Sequence, residues 1–411
     1  VEAVKEPTLL YHRYNSNSTL SFLILTMSTY PEYSLDTAIT EFFTQTSATR
    51  SECDTKAGDL VGGAVIPVTV QGNCSYTVYA GPDSEFVVQF RLKSLMLELE
   101  TATLAREIYG SLAPSVESFG ELGESGDGEK EAVCGYVTNR IRGISYLDFE
   151  LADDGPENSE RNFVWRKTLM ADVARYGSFL NIHNPHNSCV VLGCSGRHLP
   201  RKRMLIVPRF FALSWTAPQA GDSTYREKLR QTYTTELHLL LNSLPPRFHH
   251  LIQICLDSID GVLSLPMVLL HSDFSTCNIM VDEVSCHLTG VIDWAEAEIC
   301  PFGLNLHSLE SITGTLHLRN GWRRYENYEA LWDVFWGAFR DEVDDLSAET
   351  METINMSRIM GLLLSRGFTR RLANMEPAVP IRDDETGRYN MMFLDGFLLD
   401  PATRFDDHNL A

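Results

Sequence analysis

The sequence has no apolar run near the roughly 20 residues that a membrane-spanning helix needs. Its best candidate, Leu20 to Met27, is far too short. It also has no CxxC pair, and its nine cysteines are odd in number and scattered from Cys53 to Cys300. That pattern argues against a zinc site and a disulfide framework. Free thiols in a reducing compartment fit better, so a cytoplasmic location is expected. Positive charge is scarce: 34 Lys and Arg stand against 55 Asp and Glu, a formal net charge of -21. Nucleic acid and anionic membranes need a basic face and are poor partners for such a chain, whereas a cationic ligand would be steered towards it. Internal repeats and low-complexity tracts are also absent. Val1 at the start leaves open a trimmed beginning and a lost targeting peptide.

What is present is enough for a sizeable core. The chain has 411 residues, 44% of them hydrophobic and 22% charged, which suits two lobes. We expect an N-terminal extension over 1–57, a small lobe over 58–143 and a large lobe over 144–411. The extension is rich in Ser, Thr and Tyr and is expected to pack on the small lobe or to be partly mobile. In the small lobe, 65–70, 76–80 and 86–91 are β-branched or aromatic runs separated by turn residues, which predicts an antiparallel meander. From Leu95 to Tyr109 the apolar period becomes helical, and Gly110 closes the run. A polar, glycine-bearing loop over 120–130 and a strand from Val133 to Ile141 follow.

Helical patterns dominate after 160: Arg166 to Tyr176, Thr224 to Leu241 and Arg247 to Leu263. Met267 to Leu270 is a short strand, and 279–281 with 288–292 reads as a hairpin. Residues 176–208 break the pattern with Asn184-Pro185, two glycines and the basic residues Arg197, Arg201, Lys202 and Arg203. Joining Arg175 to Phe210 would restore a continuous helix-compatible run. The segment is therefore expected to be an insertion, either a translated intron or a surface loop.

The strongest chemical signal is His271-Ser272-Asp273-Phe274-Ser275-Thr276-Cys277-Asn278. An Asp five residues before an Asn, just after an apolar strand, is the spacing of a kinase catalytic loop. There Asp273 would orient a substrate hydroxyl and accept its proton, Asn278 would bind Mg2+ through its amide oxygen, and His271 would brace the loop. The competing reading is a capped turn, which the same residue types favour. Gly290-Val291-Ile292-Asp293-Trp294 adds an Asp at the end of a strand expected to be buried. A buried carboxylate needs a partner, and Mg2+ bridging ATP phosphates would be one. In the small lobe, Gln71-Gly72-Asn73-Cys74-Ser75 lies between two strands, where backbone N–H groups of Gly72, Asn73 and Ser75 could cover phosphates. Any hairpin turn offers the same composition. Arg91, or Lys93 in its place, could reach the α- and β-phosphates, with Glu100, or Glu98, as the carboxylate that pairs with it.

Together QGNCSYTVY at 71–79, VVQFR at 87–91, HSDFSTCNIMVD at 271–282 and GVIDWAEAEICPFG at 290–303 resemble the aminoglycoside phosphotransferase and choline kinase superfamily. Within it, the fungal aminoglycoside-phosphotransferase-domain proteins are the nearest in pattern. The resemblance runs over about 58 to 400. It implies an α+β, protein-kinase-like two-lobed fold, with an antiparallel sheet in the N-lobe and a mainly helical C-lobe. It also implies ATP and Mg2+ as cofactors, a small-molecule hydroxyl acceptor, Asp273 as base, Asn278 and Asp293 at the metal, and Arg91 on the phosphates. Two positions depart from the family: Ser272 replaces the usual Gly, and Arg91 the usual Lys, which has a different shape. A protein kinase is disfavoured, because no activation segment ending in APE follows Asp293. A nucleotide-binding pseudokinase is the other alternative, and the filled base and metal positions argue against it.

Overall fold

The computed structural model describes residues 33–72, 74–124, 130–174, 210–343, 346–369 and 377–405. Asn73 and the proposed insertion at 176–208 lie outside the described residues.

Two helices open the described chain, α1 (Leu35–Thr44) and α2 (Arg50–Val61). The second starts in a capping box: the Thr49 hydroxyl accepts from the Glu52 N–H, while the Glu52 carboxylate accepts from the Thr49 N–H. Strands β1 (Ile66–Pro67), β2 (Ser75–Ala80) and β3 (Phe86–Leu92) follow, then α3 (Leu99–Tyr109), β4 (Val116–Leu122) and β5 (Val133–Asn139). They form one antiparallel sheet in the order β1-β2-β3-β5-β4. Ile39, Phe42, Cys53 and Ala57 of the two helices are buried with Tyr76, Val78, Val88 and Phe90 of the sheet. The segment expected to be an extension is thus part of the small lobe from residue 33 onward, and the boundary placed at 57/58 falls inside α2.

Three further expectations need correction. The strand expected over 65–70 is only Ile66–Pro67: the Val68 N–H still donates to the Thr77 carbonyl, but the Thr77 N–H goes to the Gln71 side chain and the ladder stops. The helix expected from Leu95 begins at Leu99, because Lys93–Leu95 forms a 3-10 turn whose Leu95 carbonyl accepts from Arg91 Nε at 2.8 Å. The loop expected from 120 is partly the edge strand β4, in which Phe119 covers Gly135.

The chain then crosses into the large lobe. β6 (Ile144–Ser145) pairs with β8 (Ile279–Val281), which pairs with β9 (Leu288–Val291). Gly143 makes the crossing at φ 119; a Cβ there would lie 2.3 Å from the Val281 carbonyl oxygen. Helices α4 (Tyr146–Ala152), α5 (Glu160–Ala174), α6 (Phe211–Thr216), α7 (Ser223–Ser243), α8 (His249–Asp257) and α9 (Ile259–Ser264) lead to β7 (Met267–Leu270). The single helix expected over 247–263 is broken at Ser258, whose hydroxyl donates back to the Ile254 carbonyl. β10 (Glu298–Pro301) returns antiparallel to β7. α10 (Glu310–Thr313), the hairpin β11 (Gly314–His317) and β12 (Gly321–Arg324), α11 (Tyr328–Arg340), α12 (Ala348–Arg366) and α13 (Arg388–Leu398) complete the lobe. Among the described residues, no helix is long and apolar enough to cross a membrane.

One apolar cluster joins α3 of the small lobe to the large lobe. Ala105 and Tyr109 of α3 are buried with Phe274, Trp294 and the strands of the large lobe. The Tyr109 hydroxyl donates to the Leu269 carbonyl at 2.7 Å, and its ring lies 4.8 Å from Trp294 and 4.6 Å from Phe210. The small-lobe helix is thereby tied to the strand that delivers His271.

Candidate active site

The loop from His271 to Asn278 leaves the buried strand β7 and enters β8. Phe274 points into the core and anchors the loop's middle, with its ring 4.8 Å from Phe210. His271 is buried, and its Nε2 is 2.8 Å from the Ile292 carbonyl. A carbonyl can only accept, so that nitrogen carries the proton. Burial pushes the His271 pKa below its ordinary value, against the pull of Asp293 and Asp273. A neutral, buried ring bonded to the next strand braces the loop and is not placed to carry a proton to solvent.

Asp273 and Asn278 are brought together. Asn278 Nδ2 donates to the Asp273 carbonyl and to Asp273 Oδ2, both at 2.9 Å. This uses the amide's donor side and leaves its oxygen as the acceptor turned elsewhere. The Asn278 carbonyl accepts from the Ile292 N–H at 3.0 Å, locking the loop to the turn that carries Asp293. The Asp273 carboxyl is open to solvent at one side, yet crowding on the cleft floor raises its pKa through desolvation. His271, the Asn278 amide and Arg366 oppose that rise, and Asp293 adds to it. An elevated carboxylate is a stronger base than an ordinary one.

Asp293 differs from the expectation. Its side chain is 51% exposed instead of buried, because the residue lies just past β9 with φ 62 and ψ 67. Left-handed backbone is unusual for a residue with a side chain, and it costs about 1–2 kcal/mol. Here it turns the carboxylate out of the strand and towards the small lobe, where Oδ1 is 3.9 Å from Arg91 Nη1.

Arg91 is buried on β3, in register with Ser75 on β2. Glu100 is exposed on α3 and does not pair with Arg91, so that expectation is corrected: the carboxylate beside Arg91 is Asp293. The Arg91 guanidinium is bonded instead to the turn before α3. Lys93 pairs with Glu121 of β4 at 2.8 Å, at the outer end of the sheet. Gly72 and Ser75 flank the connection between β1 and β2. Ser75 is buried, and its hydroxyl contacts Thr77 Oγ1 at 3.2 Å and Gln89 Nε2 at 3.1 Å. The connection is held by Gln71, whose amide donates to the Val68 and Thr77 carbonyls and accepts from the Thr77 N–H. A buried Gln at the start of a glycine-bearing turn was a legible signal for that brace, and sequence reasoning did not use it.

Below Asp273 the large lobe opens into a cavity of about 1160 Å3. Its lining includes Asp273 and Ser272, the carboxylates Glu150, Glu236, Glu296 and Glu298, and Arg366. No motif marked Glu150, Glu236 or Arg366, which come from α4, α7 and α12; Glu296 and Glu298 lie inside the motif at 290–303 but were given no role there. Only a short 3-10 turn (Trp294–Glu296) separates Asp293 from β10, which pairs at once with β7. A peptide-docking segment of the protein-kinase kind has no room there.

Residues 207–307 match the phosphotransferase enzyme family. The matched stretch contains the loop, the hairpin and the Asp293 turn, and it covers about a quarter of the chain. Over that stretch the chain is similar to the phosphotransferase enzyme family. Among solved structures, the chain is similar to an aminoglycoside-3'-phosphotransferase of type VIII: 16% identity, 75% of this chain and 97% of that one covered, TM-score 0.39. It is also similar to the Plasmodium vivax ethanolamine kinase (12% identity, 82% and 84% covered, TM-score 0.40). A third is an aminoglycoside phosphotransferase of Streptomyces rimosus solved with ADP and streptomycin (13% identity, 79% and 98% covered, TM-score 0.39). At those TM-scores the likeness carries no argument about substrate. No curated protein matches the chain.

Proposed function

We propose that the protein transfers the γ-phosphoryl group of ATP to a hydroxyl of a small molecule. The reading rests on Asp273, which lines a large cavity and is bonded to Asn278, together with the Asp293–Arg91 pair on the turn locked to the same loop. Asp273 holds the acceptor hydroxyl and takes its proton. The hydroxyl oxygen bonds to the γ-phosphorus, and the β–γ bridging oxygen leaves with ADP. Asp273 Oδ2 is engaged by Asn278, which leaves Oδ1 to face the acceptor.

The donor set suits Mg2+. Asn278 offers an amide oxygen and Asp293 a half-exposed carboxylate, both hard oxygen ligands. Mg2+ on nucleotides is commonly held by one or two such groups together with the phosphates. When bound, the ion neutralises phosphate charge. Arg91 reaches the same place from the sheet and would hold the phosphates, with the Gln71–Ser75 connection above them. Most of the rate then comes from positioning and charge stabilisation.

The acceptor is small because it would sit in the cavity beside Asp273, and the chain runs from Asp293 into β10 with no docking segment between them. Glu236, Glu296 and Glu298 on the cavity lining, in a chain of net charge -21, favour an acceptor with a positive group. The free cysteines among the described residues accord with a cytoplasmic location. The deciding measurement is ADP release with a panel of hydroxylated amines, with and without Mg2+. Release that needs both acceptor and Mg2+ is expected. Failure of every acceptor, with nucleotide binding indifferent to Mg2+, would identify a pseudokinase.

A further inference from the structure

Arg366 is the last residue of α12 and lines the cavity below Asp273. Its guanidinium lies over the Phe393 ring at 4.2 Å and more loosely over Tyr389 at 5.9 Å. Among the described residues it makes one hydrogen bond, a long one of 3.4 Å from Nη1 to Asn390 Oδ1, and its buried Nε has no acceptor. No carboxylate among those residues lies within ion-pair reach of it.

Its neighbours are treated differently. Arg358, two turns earlier on the same helix, meets Glu310, as does Arg324 at 2.9 Å. Arg323, on the same cavity wall, meets Glu157. A guanidinium has five N–H donors, and leaving it without a counter-charge where water is restricted is costly. The negative end of α12 offsets part of that cost, about 0.3–1 kcal/mol. It does not use the donors, because the side chain leaves the helix end for the aromatic rings.

A second side chain shares the spot. His307 is buried, lines the same cavity and is kept neutral: burial, then the charges of Arg366 and Arg358, press its pKa down to about 3. A neutral imidazole cannot balance Arg366, but it can donate one N–H beside it. The positive field there extends to Asp273, whose carboxyl Arg366 favours in its charged form. The cavity therefore has a cationic corner at Arg366, with the neutral His307 beside it, and an acidic wall that includes Glu236, Glu296 and Glu298.

We propose that Arg366 and His307 form an anion-binding subsite of the acceptor pocket, so that the acceptor is a zwitterion of the hydroxylated amino-acid class. Its carboxylate lies on Arg366, its ammonium faces the acidic wall and its hydroxyl faces Asp273. The word acceptor rests on the phosphotransferase reading above; the anion subsite does not.

The test uses matched probes that differ by one carboxylate: serine and ethanolamine, hydroxyproline and hydroxypyrrolidine. Binding is read by thermal shift and calorimetry on the wild type, Arg366→Gln and Arg366→Lys, with ADP release measured in parallel. In the wild type at least one carboxylate member should bind about tenfold or more tightly than its partner, the usual range for a hydrogen bond to a charged group. Arg366→Gln should abolish that preference and Arg366→Lys should keep part of it. If Arg366→Gln fails to fold, the wild-type and Lys data still decide. Equal or weaker binding of every carboxylate member overturns the proposal, as does a preference that survives Arg366→Gln. An Arg366-dependent preference without ADP release leaves the subsite standing and rejects phosphoryl transfer. Phosphorylation of the amines with rejection of the carboxylates does the reverse.

Discussion

Arg91 Nη1 and Asp293 Oδ1 stand 3.9 Å apart, one delivered by the antiparallel sheet and the other by the helical lobe. The small lobe supplies a fixed cation and the large lobe a half-exposed carboxylate at the same point. Each is held by its own backbone device. Arg91 Nε is bonded to the Leu95 carbonyl, and Asp293 sits in a left-handed turn.

That turn predicts a trade between stability and function. Asp293→Gly removes the side chain that makes φ 62 unfavourable, so the variant should be more stable by about 1 kcal/mol. It should also lose Mg2+-dependent nucleotide binding. Melting temperature and nucleotide affinity, measured with and without Mg2+, should move in opposite directions. A variant that melts lower and binds nucleotide normally would remove Asp293 from the site.

Asp273→Asn should keep nucleotide affinity and lose about 10²–10⁴-fold in turnover, the usual worth of a general base. The pH profile adds an independent check. Desolvation raises the Asp273 pKa, so the acidic limb of kcat should lie above the ordinary carboxylate range. Turnover falls as pH drops through that value, because the protonated acid cannot accept the hydroxyl's proton. Wild-type turnover in the Asn variant would refute the base assignment.

Much of this was legible in the sequence, for identifiable reasons. The catalytic loop and hairpin are local: Asp273, Asn278 and Asp293 lie within one strand–loop–strand stretch, so their spacing already carried their proximity. β2, β3 and β5 were legible as β-branched and aromatic runs between turn residues. β4 was hidden by the bulge between Ser118 and Gly120, which breaks its period of two, and by its polar edge. α2 was missed although Thr49 and Glu52 spell a capping box, since few of its residues are apolar. The Arg91–Glu100 pairing failed although Glu100 does lie in the first turn of α3: Arg91 turns to the Leu95 carbonyl and to Asp293, and Glu100 is exposed. The cavity was legible only in part: Asp273, Glu296 and Glu298 lie in the motifs at 271–282 and 290–303, whereas Glu150, Glu236 and Arg366 come from distant elements that only tertiary packing brings to the same wall.

The aromatic anchor under the loop should be structural. Phe274→Ala removes a fully buried ring that packs on Phe210 and Phe211. A loss of about 3–5 kcal/mol is expected, measured by chemical denaturation. Since Phe274 adjoins Asp273, turnover of the fraction that remains folded should fall as well. An unchanged denaturation midpoint would mean that the loop is not anchored there.

Glu150 gives the clearest pH-dependent stability. It sits on α4, lines the cavity and has its pKa raised to about 7, chiefly by desolvation and slightly by Glu157. Arg166 and the Tyr146 and Tyr325 hydroxyls pull the other way without winning. In the unfolded chain the carboxyl titrates near its ordinary value, about 4.3. Below that pH both states are protonated and Glu150 costs nothing. As pH rises the unfolded chain releases its proton first, while the folded chain holds it until about 7. Stability therefore falls through this window at up to about 1.4 kcal/mol per pH unit and levels off above it. Glu150→Gln keeps the shape and cannot ionise. Its melting temperature should equal that of the wild type near pH 4.5 and exceed it increasingly up to pH 7, with a constant gap beyond. The total is at most about 3 kcal/mol, since the carboxyl is partly open to the cavity. A gap that does not vary with pH would show that Glu150 is ionised in the folded protein throughout. The acidic wall would then carry one more full charge at neutral pH than is assigned to it here.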